Sequence, residues 1–473
     1  MSSLYGLGNV KNLPREETDM LVELVEVLND KEQNNYKRMT YYKSKNSLKD
    51  LGIAIPPCLK NLRGSVGWAQ KAVDTLAIRS RFEGFYFSDG EDHGINSIFN
   101  TNSFKSAYQQ MVTSELINSC AFVTLSRGGA GEPAIIVNVY SALNASAVWD
   151  WRRKRIKYGL VIADKIRKRG TDEFLPCAVN LYTDTDVWEI EFTHTGWVAN
   201  RKPHKMGRPL IEALVYRPTI DRPFGRSRIT RDVMEIIDNA TRESVRTEIH
   251  SEFFTSPQRV ILGADPSTLF ANKTQQEAYL GSFLALTANE EGDVPQVTQF
   301  AQASMQPHLD YMKSLATRFS AITNVPVSEM GIVQDNPSSA EAILAAKEGL
   351  VLEAQDLNAS NGEALKNIGK MAMATLQNKA FIELSDVESS ITPRFRNPAT
   401  PSVVSQSDAM VKQASATTSD NWFTHTRIFW EQLGYEQEQV DRILNDYDTE
   451  TRKTTLNTIA NALATPAEVD SGQ

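Results

Sequence analysis

Few residues in this chain have the types and spacing that chemistry needs. Asp184, Asp186, Glu189 and Glu191 supply carboxylate oxygens that a hard cation takes. Their alternation with apolar residues across Ala178–Thr193 instead predicts solvent-facing positions around a hairpin, and no His or Cys completes a ligand set. His93, His194, His204, His250, His308 and His425 show neither metal-site spacing nor a nucleophile arrangement. Arg127-Gly128-Gly129-Ala130-Gly131-Glu132 has the glycines of a phosphate cradle, but no Gly-Lys-Ser/Thr follows and the next element reads as strand, so a hairpin turn is expected. The stretch Trp149–Gly159 interleaves Trp149, Trp151 and Tyr158 with Arg152, Arg153, Lys154, Arg155 and Lys157, and Lys165, Arg167, Lys168 and Arg169 follow. Such a run can bind nucleic acid by charge and stacking, meet an acidic face of a neighbouring subunit, or stand as a solvated surface. Without a Gly-x-Ser-x-Gly, His-Glu-x-x-His, Walker or paired-Cys motif, the sequence predicts no catalytic residue, no cofactor and no metal.

With 473 residues, 41% of them hydrophobic, the chain can bury a large core and exceeds the usual length of one domain. A net charge of -8 does not describe a protein that wraps tightly around DNA, although looser or local contact remains open. Cys58, Cys120 and Cys177 are odd in number and far apart, which predicts a reducing compartment and no disulfide framework. No apolar run approaches the ~18 residues of a membrane span, and the opening Met1–Gly6 lacks a signal-peptide pattern, so synthesis in cytoplasm is expected.

The elements that would position such residues are mixed. Helices are predicted over Glu16–Tyr42, Trp68–Arg81 (with Trp68 as a core anchor) and Ile95–Leu116, and strands over Phe82–Phe87, Ala121–Leu125, Pro133–Tyr140, Ala178–Thr193 and Leu210–Pro218. From Phe224 to Thr323 the pattern changes. A turn marked by Pro223 and Gly225 leads into a helix with Val233, Ile236, Ile237, Ala240, Ser244, Ile249 and Phe253 near one face; a shorter helix after Pro307 repeats Leu309, Met312, Ala316 and Phe319. Between them lie strand-like runs Gln258–Gly263 and Gly292–Phe300, with a short helix within Asn272–Leu286. A long helix with a narrow apolar face packs either on its own body or on copies of itself. Beyond a loop, Asn324–Pro337, a helix capped by Ser338 or Ser339 is expected to run from Ala340 to Leu376 with a bend at Asn358–Gly362. A strand over Phe381–Asp386 follows, then helical patches at Val403–Ala416, Trp422–Leu433 (ended by Gly434) and Gln437–Asp446, and a disordered end from about Pro466.

Local sequences resemble, in order and over most of the length, portal proteins of long-tailed double-stranded DNA phages, in the branch with a short central insertion. They are Tyr41-Tyr42, Gly52–Pro57, Val66–Asp74, Pro223–Ile229, Phe253–Arg259, Val325–Gly331 and Ser338–Ala342. The resemblance implies an α+β fold of portal-like architecture that forms a ring, commonly of twelve subunits, at one capsid vertex. An N-terminal and α/β wing region covers 1–229, the stem helices 230–253 and 305–323, and a small α/β clip 254–304. The channel-facing tunnel loop covers 324–337, a long wing helix and strand 338–401, and a helical C-terminal crown with a disordered tail 402–473. It also implies, as partners, the terminase large subunit, head completion or adaptor proteins, the major capsid protein, any scaffolding protein and double-stranded DNA passing through, with no enzyme activity and no membrane.

Carried onto this chain, Glu235, Asp238, Glu243, Glu248 and Glu252 are expected to give part of an acidic channel face or subunit seam, which Arg242 and Arg246 temper or across which they pair between subunits. Gln334, Asp335 and Asn336 would approach DNA from the tunnel loop, and Gln258, Arg259, Val260, Val297 and Phe300 would belong to the clip. Two alternatives stay open: an oligomeric scaffold or adaptor of another kind, and a metal-dependent nucleic-acid-processing enzyme using Asp184 and Asp186.

Overall fold

The structure, a computed structural model, describes residues 7–46, 64–168, 170–172, 174–255, 259–262, 296–299, 304–331, 340–399, 412, 415, 422–433, 435 and 437–464. The chain divides into two compact units, Met1–Pro398 and Ala399–Gln473. Among the described residues no helix is long and apolar enough to cross a membrane.

In the first unit, α1 (Arg15–Tyr42) follows Pro14, which is tolerated at a helix start because an orphan N–H is lost there anyway. α2 (Trp68–Ala77) precedes β1 (Phe82–Tyr86). The helix predicted over Ile95–Leu116 is two, α3 (Ile95–Thr101) and α4 (Phe104–Asn118). Ser103 between them takes a left-handed φ of 51°. The Asn102 amide donates to Ile98 and Ile135 carbonyls at 2.9 Å and accepts from the Val137 N–H at 3.0 Å, so a strand pairs with the residue that would have continued the helix.

The strands β2 (Cys120–Arg127) and β3 (Ile135–Ser141) pair across the glycine-rich segment, which is therefore a hairpin turn. β4 (Ala145–Asp150), β5 (Arg155–Arg167), β6 (Phe174–Tyr182), β7 (Asp186–Thr193) and β8 (Gly196–Pro203) form an antiparallel meander in that order. β9 (Ile211–Val215) then adds to β2, giving a sheet of order β3-β2-β9. Leu21, Leu24 and Leu28 of α1 cover one face of the meander against Leu160, Val179, Leu181, Trp188 and Ile190. A second, larger core joins α2, α4 and the three-stranded sheet to the helices that follow.

Those helices begin with α5 (Arg231–Thr255). β10 (Arg259–Leu262) and β11 (Gln296–Gln299) pair antiparallel, as expected for the two strands of the insertion, and α6 (Gln306–Thr323) returns. The predicted helix within Asn272–Leu286 lies outside the described residues. After a 3-10 turn at Val327–Met330 comes α7 (Ala340–Gln377), one uninterrupted helix where a disturbance at Asn358–Gly362 was expected. Low-propensity residues hold there because they are bonded outward: the Ser360 hydroxyl donates to the Val215 carbonyl at 2.9 Å, and the Asn361 amide to Glu115 at 2.9 Å. Phe381–Asp386 is not a strand. Phe381–Glu383 forms a 3-10 turn, and Ser385 and Glu388 form a reciprocal capping box that starts α8 (Asp386–Ser389). The strand is β12 (Thr392–Phe395), paired with β1.

In the second unit a 3-10 turn at Trp422–His425 leads to α9 (Arg427–Gln432) and α10 (Gln437–Ala464), which runs well past the expected Asp446. Phe429 and Val440 are buried, and His425 stacks on Tyr447 with ring centroids 4.1 Å apart. Gly434, the tail from Pro466 and nearly all of Val403–Ala416 lie outside the described residues.

Candidate functional site

The feature with the most specific construction is the hairpin of α5 and α6 and the buried polar junction at its root. The chain enters α5 through a turn that only glycine fits at position 225: φ is 65°, and a Cβ there would lie 2.1 Å from the Tyr216 carbonyl oxygen. The first apolar residues of α5, Val233, Ile236, Ile237 and Ala240, are all buried in the core of the same chain, as are Leu315, Ala316 and Phe319 of α6. Phe319 packs on Trp68 at 5.3 Å, where the core anchor was expected. The narrow apolar face is thus, over its first turns, the root of the hairpin in its own body.

Arg228, three residues before α5, is 4% exposed. Its guanidinium donates to the Ala72 carbonyl at 2.7 Å, the Thr323 carbonyl at 2.5 Å, the Tyr216 hydroxyl at 2.9 Å and the Glu353 carboxylate. Glu353 also accepts from Tyr216, from Arg217 at 2.8 Å and from the Asn324 amide at 3.3 Å. One ion pair therefore ties together the entry to α5, the end of α6, α2, the residue after β9 and the middle of α7. Burial works to raise the Glu353 carboxyl, but Arg228 and its hydrogen-bonded neighbours outweigh it and hold the group below its ordinary value. A buried pair with its remaining donors satisfied fixes geometry in a way that an apolar contact does not.

Higher on the hairpin the two helices meet through polar groups. The Glu243 carboxylate, 4% exposed, lies 2.6 Å from Nδ1 of His308, and Nε2 of His308 lies 2.8 Å from Nδ1 of His250. Arg246 sits 3.5 Å from the other Glu243 oxygen. With a hydrogen on each Nδ1, His250 donates to His308 and His308 to Glu243, a chain of bonds from α5 to α6 and back. Within the body, α4 and α7 are also joined through polar groups: Asn361 bridges Glu115 and, at 3.4 Å, the Tyr108 hydroxyl, itself 2.7 Å from the Ser80 hydroxyl.

The residues expected at a channel face or seam divide. Asp238 accepts from the Tyr41 hydroxyl at 2.8 Å and from Asn46 at 3.0 Å, Glu243 is engaged as above, and Arg242 donates to Asn239 at 2.9 Å. Glu235, Arg246 and Glu248 are exposed. Glu252 belongs to α5, its side chain outside the described residues. Arg259, Val260 and Val297 lie in the β10–β11 pair, while Gln258, Phe300 and the residues expected in a tunnel loop, Gln334, Asp335 and Asn336, lie outside what is described.

Asp186 departs from its expected solvent-facing position. It is 4% exposed and accepts two hydrogen bonds from Arg201, at 2.7 and 3.1 Å. Asp184 accepts from Arg153 and Arg155, each at 3.1 Å, so these carboxylates already face guanidinium groups. The basic aromatic run is the β4–β5 hairpin, with Trp151 61% exposed at its turn. Asp89, Glu91 and His93 form an exposed cluster whose ligand atoms lie within 4.8 Å of one another, where no metal spacing was expected; Asp89 and His93 already bond each other at 2.7 Å. Cys120 and Cys177 are free, and burial pushes the Cys120 thiol up to about 12, an unreactive state.

Arg228 stands within the Pro223–Ile229 stretch singled out in the sequence, but its partner lies 125 residues away. Glu353 leaves a faint signal, a carboxylate among Leu350, Ala354 and Leu357 on the buried face of a helix.

The family model described as phage portal protein, SPP1 Gp6-like, matches residues 26–446. The chain is 23% identical over 403 residues to the portal protein of Mycobacterium phage D29, across 82% of this chain and 81% of that one. It is 24% identical over 405 residues to the portal protein of Mycobacterium phage L5, across 82% and 80%. Among solved structures it is similar to a chain in the neck of an empty gene transfer agent particle, at 12% identity and a TM-score of 0.46, covering 83% of this chain and 92% of that chain.

Proposed function

The chain belongs to the SPP1 Gp6-like phage portal protein family, and from that premise we propose that it builds a closed ring at one capsid vertex through which double-stranded DNA is packaged and ejected. Twelve copies is the stoichiometry we assign, with α5 and α6 as the stem around the channel and the β10–β11 insertion as the clip. The terminase large subunit and then the head completion proteins dock on that clip, and the major capsid protein and any scaffolding protein meet the wing. The chain hydrolyses nothing; energy comes from the separate motor.

The observation that carries this reading is the construction of the hairpin. Its base is locked into the body by Arg228 and Glu353, while it keeps Glu235 and Ile322 near the base and Glu248, Leu309 and Tyr311 farther along at the surface, Leu309 at 57% exposure. A rigid root in a hairpin with exposed mixed faces suits heterologous packing of copies about an axis, which closes without leaving an open filament. An acidic wall suits sliding DNA, since a cationic one would hold phosphates and release counterions at each contact. Charge reversal of Glu235 and Glu248 to Lys tests it: rings form, and DNA packaged per particle falls severalfold. Unchanged packaging with both reversals in place contradicts the stem assignment.

A further inference from the structure

A cavity of about 1050 Å³ lies between α1, the start of β2, the β3–β4 connection and the segment entering α5. Its wall holds six cations, Lys31, Lys37, Arg38, Arg222, Arg226 and Arg231, and one acid, Asp232. None of the six forms an ion pair among the described residues, in a protein with a net charge of -8. Arg38 is the deepest of them. Its one side-chain bond runs to the Asn35 amide oxygen at 3.1 Å, and burial lowers its pKa from the ordinary guanidinium value. A partly buried cation without a carboxylate is costly unless an anion joins it. Asn118, in the same wall and 1% exposed, leaves its amide oxygen without a partner. Oxygen and nitrogen of such an amide are assigned from their surroundings, and the reversed orientation would present donors instead.

We propose that this cavity is the docking site for an acidic peptide segment of a partner protein, one that carries apolar residues between its carboxylates. The volume exceeds what a single ion needs and lies just above the range of small-ligand sites, about 300–1,000 Å³. The floor is apolar, with Ala142, Ala147 and Ile229 buried and Met234 half-buried, and the rim is cationic. A polyphosphate would leave that floor wet. Single-stranded nucleic acid would need aromatic faces for its bases, and the aromatic rings in the wall are already packed: Phe122 lies 6.2 Å from Phe224, which lies 5.9 Å from Trp149. Duplex DNA, bound through its phosphates, would leave the apolar floor wet as a polyphosphate would. Carboxylates matched to Arg forks, with apolar side chains between them, satisfy both parts of the wall. Because the segment from Arg222 to Met234 leads into α5, an occupant would rest against the root of the hairpin.

The test uses the full chain and a fluorescein-labelled peptide of alternating Glu and Leu, followed by anisotropy. Wild-type protein binds it with an affinity that falls as salt rises; a Gln-for-Glu version of the peptide does not bind. Arg226→Glu with Arg231→Glu weakens binding at least tenfold while the circular dichroism spectrum stays that of wild type, and Arg38→Gln alone weakens it less. Should the double variant misfold, a photoreactive version of the peptide on wild-type protein must crosslink to α1 or to 222–234; crosslinks elsewhere overturn the proposal. Equal binding by all variants overturns it, as does displacement of the peptide by duplex DNA or pyrophosphate at lower concentration than by unlabelled peptide. Binding to the unassembled subunit but not to the assembled ring assigns the cavity to a neighbouring copy and overturns the partner.

Discussion

Glu115 shows what the fold does to a single carboxyl. It is fully enclosed, with one oxygen accepting from Asn361 at 2.9 Å and the other without a partner. Burial raises its pKa from 4.5 to about 8, with the Asn361 bond acting in the opposite direction. Between those values the folded protein holds a proton that the unfolded chain releases, so stability falls as pH rises, at about 1.4 kcal/mol per pH unit. Above the folded value the loss is complete; below the unfolded value it is absent. Glu115→Gln keeps the shape and removes the titration. Urea unfolding of both proteins between about pH 5 and about pH 8 is expected to show a clear decline for wild type and a flatter line for the variant. Parallel lines would mean that the carboxyl is not protonated in the folded state.

Between elements, the Arg228–Glu353 pair carries the corresponding prediction. Arg228→Ala strands a buried carboxylate and frees the Ala72 and Thr323 carbonyls, at a cost of about 3–5 kcal/mol. Arg228→Met with Glu353→Leu removes both charges and recovers most of that loss, read from denaturant midpoints; a double variant as unstable as the sum of the single ones contradicts a coupled pair. The same pair shows how far the sequence can be read. The long periodic elements α1, α5 and α6, and the strands β10 and β11, were legible from spacing alone because each repeats a pattern over its own length. The break at Ser103, the unbroken α7 and the role of Arg228 were not. Each depends on a partner remote in sequence: Asn102 on β3, Asn361 on Glu115 in α4, Arg228 on α7. The misplaced strand at Phe381–Asp386 failed for a local reason, since Ser385 and Glu388 cap a helix more strongly than an apolar triplet makes a strand. At the hairpin, spacing identified Glu243 as a polar face residue, yet His308 on the opposite helix turns it inward.

At the scale of the molecule, the proposal that this chain works as a ring rests on family membership and the rooted hairpin together. Asp238, Arg242, Glu243 and Arg246 are engaged within the chain, which leaves Glu235 and Glu248 as the charges of the expected set that are exposed at the surface and without a partner among the described residues. Images of the purified full-length protein in negative stain, paired with its mass in solution, test this most directly. The account predicts closed rings of uniform size with a central channel; a monomer under every salt condition tried would contradict it.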